Sequence, residues 1–129
     1  MAYVVDLNQG WNSGARSTHV ETGDCVATFS VPDTAAGVVC GFSSTDHNAG
    51  YRDIEHGLML QAGFVRVVER AVFKTALAAF VTADVFTIRR AGGVVQYLQN
   101  GTLLYTSATA STGTIFLDSS LYIAGDEIR

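Results

Sequence analysis

Along most of the chain, apolar and polar side chains alternate in short runs separated by clusters of Gly, Ser, Asn and Asp. A period of two turns one face of an extended strand toward a core. From Asp24 to Val31, Cys25, Ala27, Phe29 and Val31 share one face while Thr28 and Ser30 take the other, so this segment is predicted to be a strand. Between Gly37 and Ser43, Val38, Cys40 and Phe42 oppose Val39 and Gly41. The small residues on that second face leave room for another layer, which predicts a central strand. Gly57–Gln61 and Phe64–Val68 read as a hairpin about Ala62-Gly63. Val85–Arg90, with Phe86 and Ile88 inward, turns through Ala91-Gly92-Gly93 into Val94–Leu98. Asn100-Gly101 then leads into Leu103–Thr106, and both turn residues accept positive φ. Near the end, Thr114–Leu117 and Leu121–Ile123 read as two strands about a turn at Asp118-Ser119-Ser120.

Glu69 to Ala83 is ambiguous. Phe73, Leu77, Phe80 and the alanines also fit a helical spacing. Val72, Phe73, Thr75, Phe80, Val81 and Thr82 are β-formers, and the strands on both sides favour the extended reading. About nine or ten short strands are too many for one open sheet in a chain of this length, so an all-β, antiparallel two-sheet β-sandwich or jelly roll is expected.

At 129 residues the chain fits a single domain spanning 1–129. It is large enough for a core that needs neither disulfides nor metal. A net charge of −4 lacks the clustered basic charge that displaces counterions, which argues against a nucleic-acid partner. No apolar run approaches the length of a membrane helix, and the start has no basic segment followed by an apolar stretch, so neither a membrane nor secretion is expected. Cys25 and Cys40 sit in apolar runs and are read as buried thiols, with pairing as the alternative.

The segment from Ala83 to Ser107 resembles concanavalin-A-like jelly-roll modules. Their pattern runs Asp-x-φ-x-Ile, a glycine turn, Val-x-Tyr-φ-x-Asn-Gly, then Tyr-Thr-Ser, matched here by Asp84, Ile88, Tyr97, Asn100, Gly101 and Tyr105 to Ser107. Gly41 to Ser44, His56 to Leu60, Val68-Glu69 and Asp118 to Ile123 are similar to further pieces of the pattern. Such modules serve as sugar-binding or structural domains in bacterial surface proteins and in the tail, fibre and spike proteins of bacteriophages. For a small, acidic chain without a leader, the resemblance implies the phage form: a virion protein made in the host cytoplasm, homo-oligomeric and associated with other virion structural proteins.

The departures from that group limit the chemistry. Legume lectins of the broader fold hold Ca²⁺ with a tight run of carboxylates. Here Asp46-His47-Asn48, with Asp53 and Glu55 nearby, is the nearest substitute. Ca²⁺ takes six to eight oxygens, so the segment reads first as a solvated loop with Asx turns, and no metal or cofactor is expected. The Glu-x-Asp-x-x-Glu run of related glucanases is absent, and Asp53 and Glu55 read as exposed charges beside a turn. His19, His47 and His56 are too scattered for a zinc site. The chain is therefore expected not to be an enzyme.

Sugars are held by aromatic faces together with amides, carboxylates and Arg. Asp46, His47, Asn48, Tyr51 and Arg52 bring that vocabulary into one loop and are the candidate ligand-binding residues, unless the loop is an ordinary polar connection. Trp11 either stacks on the sugar or closes one end of the core. Tyr97 and Tyr105 are read as scaffold aromatics. The expected function is a non-enzymatic virion module that binds surface glycan through these loops. The alternatives are a purely structural decoration or assembly subunit and a peptide-binding sandwich like the SPRY modules. Mean hydropathy of +0.24 suits a chain that leaves apolar surface for association.

Overall fold

The computed structural model describes residues 3–4, 13–31, 37–44, 54–121 and 127–128, with side chains described over 22–31, 37–44 and 54–117. The strands are β1 (Tyr3–Val4), β2 (Ser13–Glu21), β3 (Cys25–Phe29), β4 (Gly37–Ser43), β5 (His56–Gln61), β6 (Phe64–Glu69), β7 (Val72–Phe73), β8 (Ala78–Ala79), β9 (Phe86–Ala91), β10 (Val94–Gln99), β11 (Thr102–Thr106), β12 (Ile115–Leu121) and β13 (Glu127–Ile128). One sheet has the order β11-β10-β9-β3 and the other β2-β12-β4-β5-β6-β7, with β8 also on β6. β1 and β13 form a separate pair. All pairings are antiparallel, and no helix occurs among the described residues. The expected two-sheet sandwich is the observed architecture.

The alternation in the sequence sets the core. Phe29 of β3, Phe86 and Ile88 of β9, and Val95 and Tyr97 of β10 face Val38, Cys40 and Phe42 of β4, Leu58 and Leu60 of β5, and Val65 and Val67 of β6. Phe86 anchors an aromatic group, tilted against Phe29 and edge-on to Phe80, each with centroids 5.8 Å apart. Cys40 is buried and Cys25 half-buried, on different sheets.

β4 is the central strand that its pattern predicts. It lies between β12 and β5 and is buried along both faces. A second apolar cluster of Val39, Ile54, Met59 and Val68 covers the outer side of that sheet. Gly57 leaves the room for Ile54, whose Cγ2 would lie 2.9 Å from any added Cβ.

Ala62-Gly63 and Asn100-Gly101 both place two residues at positive φ, the geometry that matches a two-residue turn to strand twist. One expectation changes. Asp118-Ser119-Ser120 is not a turn: β12 runs through it, with a register shift between Phe116 and Asp118 on the β2 side. Ladders on both flanks bond the backbone whatever the side-chain polarity. β2, with its polar Arg16, Ser17, Thr18 and His19, shows no alternation, yet pairs along β12. Glu69 to Ala83 is extended, the reading its β-formers favour, although past the end of β6 only β7 and β8 are regular. β7 pairs with the end of β6 and β8 with its start. Between them Val67 donates its N–H to Thr75 Oγ1 at 3.0 Å and accepts from Lys74 N at 2.9 Å. The segment is an interrupted edge strand that bulges at 74–77 and returns to bury Phe80.

Candidate functional site

The bulge shapes a groove on the outer face of the β5–β6 hairpin. Cross-strand pairing sets Met59 beside Arg66 and Gln61 beside Phe64. Phe73 of β7 pairs with Val68, two residues from Arg66 and therefore on the same face. Met59, Gln61, Ala62, Phe64, Arg66 and Leu77 line a groove of about 240 Å³. Its apolar rim is open to solvent: Phe64 is 44% exposed, Phe73 44% and Leu77 56%.

Among the described residues, Arg66 is the one charged side chain lining this groove. Its guanidinium carbon lies 3.3 Å from the centre of the Phe73 ring. That stacking fixes the cation by attraction to the ring quadrupole. Nε is shielded from solvent and has no hydrogen-bond partner. Among the described residues, no carboxylate lines the groove to neutralise it. The arrangement offers an apolar and aromatic surface, an amide from Gln61 and a held cation, a combination suited to gripping a small polar ligand rather than to bond cleavage.

Asp46, His47, Asn48, Tyr51, Arg52 and Trp11, the candidates from sequence, lie outside the described residues, as does Asp53. The stem of their loop is described. Glu55 Oε1 accepts from Ser44 N at 2.6 Å and from Ser44 Oγ at 2.5 Å, and Oε2 faces Arg70 at 3.1 Å. Glu55 is thus a clamp across the two ends of the loop. Partial burial pushes its carboxyl up, but the Ser44 hydrogen bonds and the Arg70 charge outweigh that and hold it below 4.5. A lowered folded value means the clamp contributes above the ordinary carboxylate range and is lost as pH falls below about 4.5 through the folded value. Ser44→Ala should therefore move the Glu55 carboxyl titration upward in a ¹³C NMR series; an unchanged midpoint would show that Ser44 does not hold it.

His56 is a core histidine. It is buried, and Nε2 lies 3.0 Å from the Thr109 carbonyl. Among the described residues, no three His, Cys, Asp or Glu side chains gather into a group able to hold a metal. Tyr97 is buried and Tyr105 half-buried, their rings 6.3 Å apart, in keeping with scaffold roles. Sequence reasoning missed the groove because Phe64, Arg66 and Leu77 fall in segments read as strands. The available signal was an Arg and a Phe on the polar side of the β6 alternation.

No protein-family model and no curated protein sequence matches the chain. Its fold is nevertheless shared with solved structures. The PSpry domain of TRIM65 aligns with a TM-score of 0.69 at 12% identity, over 93% of this chain and 70% of that one. The carbohydrate-binding module CBM66 from Bacillus subtilis gives 0.56 at 9% identity, over 94% and 79%. The β-glucanase of Bacillus licheniformis gives 0.51 at 11% identity, over 90% and 67%. The chain is a concanavalin-like jelly-roll sandwich, a fold that carries both binding modules and enzymes.

Proposed function

We propose that this sandwich is a non-enzymatic recognition module of a virion, presented in several copies, that binds a surface glycan. The observation that carries the binding reading is the groove on the β5–β6 face, where exposed Phe64 and Phe73 stand beside Gln61 and Arg66. Aromatic faces meet the C–H surfaces of a sugar, and amide and guanidinium groups meet its hydroxyls. A carbohydrate-binding module shares the fold, and the described residues of the groove lining are apolar, amide and guanidinium groups rather than the acid pair that glycoside hydrolysis uses. Asp46, His47, Asn48, Tyr51, Arg52 and Trp11 are proposed as further contacts on their side-chain chemistry. The virion setting, with homo-oligomers and other virion proteins as partners, is supported by the resemblance of Ala83–Ser107 to phage modules.

A tetravalent display of the full chain on a glycan array tests the reading, since several weak contacts add through avidity. Binding is expected, and Phe64→Ala should weaken it by roughly fivefold or more at each site. Silence of the multivalent form across the array would remove the glycan proposal. A second reading, a structural assembly subunit, is favoured by Val26, Val94 and Leu103, which stay exposed on strands of the four-stranded sheet. Light scattering tests the virion setting that both readings share: a defined oligomer supports it and a strict monomer counts against it, while the glycan array separates the two. A peptide-binding role like that of SPRY modules would appear instead as capture of an extended peptide with no glycan bound.

A further inference from the structure

We infer that the β5–β6 groove selects acidic sugars, with the carboxylate of a uronic acid residue seated on Arg66; this rests on the glycan-binding reading above. Four features converge. Arg66 is half-buried, so part of its hydration is already lost, and its Nε has no hydrogen-bond partner. The side chain is held in place by the Phe73 ring, so little freedom remains to be lost on binding. The described residues of the groove lining include no carboxylate, while the acidic side chain nearest in sequence, Glu69 of β6, is buried and bonded to Tyr97. Finally, Phe64 and Leu77 border the same groove with apolar surface sized for a ring, and Gln61 supplies an amide.

The charge decides between neutral and acidic sugars. A partly desolvated cation gains little from a hydroxyl, which is no better a partner than the water it displaces. A carboxylate neutralises the charge and can accept two N–H bonds from the planar fork. The same attraction operates at reduced dielectric beside the aromatic and aliphatic walls, where it is stronger than at an open surface. A neutral sugar would sit on Phe64 and leave the cation uncompensated.

Oligogalacturonate and its fully methyl-esterified form are a matched pair of probes that differ in charge while keeping the ring stereochemistry. Titrations of the full chain, followed by the ¹H–¹⁵N signal of Arg66 Nε, should show the free acid binding roughly tenfold tighter than the ester, with the Arg66 signal shifting for the acid alone. Added salt should narrow the gap. Arg66→Gln should abolish the preference, and Phe64→Ala should weaken both probes alike. Equal affinity for acid and ester, or a preference that survives Arg66→Gln, overturns the inference. An acid-induced shift reproduced by sodium acetate at the same concentration, without a contribution from Phe64, overturns it as well, since that is an anion site and not a sugar site. If neither uronate probe binds while neutral glycans bind the multivalent form, the acidic specificity fails and the glycan reading stands. If no glycan of either kind binds, both fail.

Discussion

Gly41→Ala is expected to destabilise the protein by at least about 3 kcal/mol, at the upper end of what overpacking a core costs. A Cβ at Gly41 would lie 1.9 Å from the His56 carbonyl oxygen, 2.6 Å from Gly57 Cα and 2.8 Å from His56 C. All three atoms belong to the backbone of the neighbouring strand. A side-chain clash can be relieved by a rotamer change, whereas this one requires β5 to move away from β4 where Gly41 pairs with Gly57. That movement would stretch the ladder at the centre of the larger sheet and open the cluster of Val39, Ile54, Met59 and Val68 beneath it. Gly57→Ala should cost less, because its 2.9 Å contact is the Ile54 side-chain Cγ2, which can shift. Gly23→Ala is the control, with nothing within 4 Å of the added carbon. Urea and thermal unfolding of the three variants should rank them in that order, with Tm lowered by roughly 10 °C or more for Gly41→Ala. A Gly41→Ala protein as stable as the Gly23→Ala control would mean that the β4–β5 register is wrong.

The same central glycine shows why the architecture was legible. Val38, Cys40 and Phe42 announce one buried face by period, and the small residues opposite announce a second layer. Turns with a steric requirement were equally readable: Ala62-Gly63, Gly92-Gly93 and Asn100-Gly101 all adopt positive φ. Elements defined by partners rather than by their own pattern were not. β2 is polar along its length and exists because β12 offers it a ladder, and Asp118 to Ser120 looks like a turn until β4 and β2 are placed on either side. Glu69 to Ala83 follows β6 as an edge strand whose regularity is broken where Thr75 substitutes its hydroxyl for a backbone acceptor. Sequence period carries no trace of such a side-chain bond.

The residues that made the resemblance recognisable turn out to secure the scaffold. Asp84 accepts from Asn100 Nδ2 at 2.8 Å, Gln99 Nε2 at 2.9 Å and Val81 N at 3.0 Å, while Asn100 Oδ1 accepts from Val85 N at 2.9 Å. The Asn100 bond leads the effects that hold the Asp84 carboxyl below 3.8. The spacing from Asp84 to Asn100-Gly101 is therefore the requirement of a turn bonded back onto the start of β9. It reports the fold and says nothing of ligand. At the far end of β9, Arg90 plays a comparable part, donating to the Gly23 carbonyl at 2.9 Å, the Gly113 carbonyl at 3.0 Å and Ser111 Oγ at 3.1 Å. The proposed recognition on such a frame uses side chains outside these bonds, Phe64 and Arg66, which carry no signature spacing.

The largest pH effect is expected from Tyr97. Its hydroxyl donates to Glu69 Oε2 at 2.8 Å across the sandwich, both residues are buried, and Glu69 Oε1 has no hydrogen-bond partner. Burial, then the Glu69 charge and the hydrogen bond to it, and last Tyr105, raise the Tyr97 phenol well above its ordinary 10.0. Because the folded value is the raised one, the native protein keeps this proton where the unfolded chain has released it. The contribution is fully present below pH 10 and is withdrawn above it, so stability should fall by about 1.4 kcal/mol for each further pH unit from this group. Tyr97→Phe should abolish that alkaline slope. At neutral pH the same substitution strips Glu69 of its described hydrogen bond and leaves the acid stranded in the core, at a cost of about 2–4 kcal/mol. Replacing both partners, as in Tyr97→Phe with Glu69→Met, should recover most of the loss, since two apolar groups of similar size leave nothing unpaired. If the double variant were no more stable than Tyr97→Phe alone, the cost would lie in packing rather than in the stranded carboxyl; if the alkaline slope survived Tyr97→Phe, it would have to come from another group.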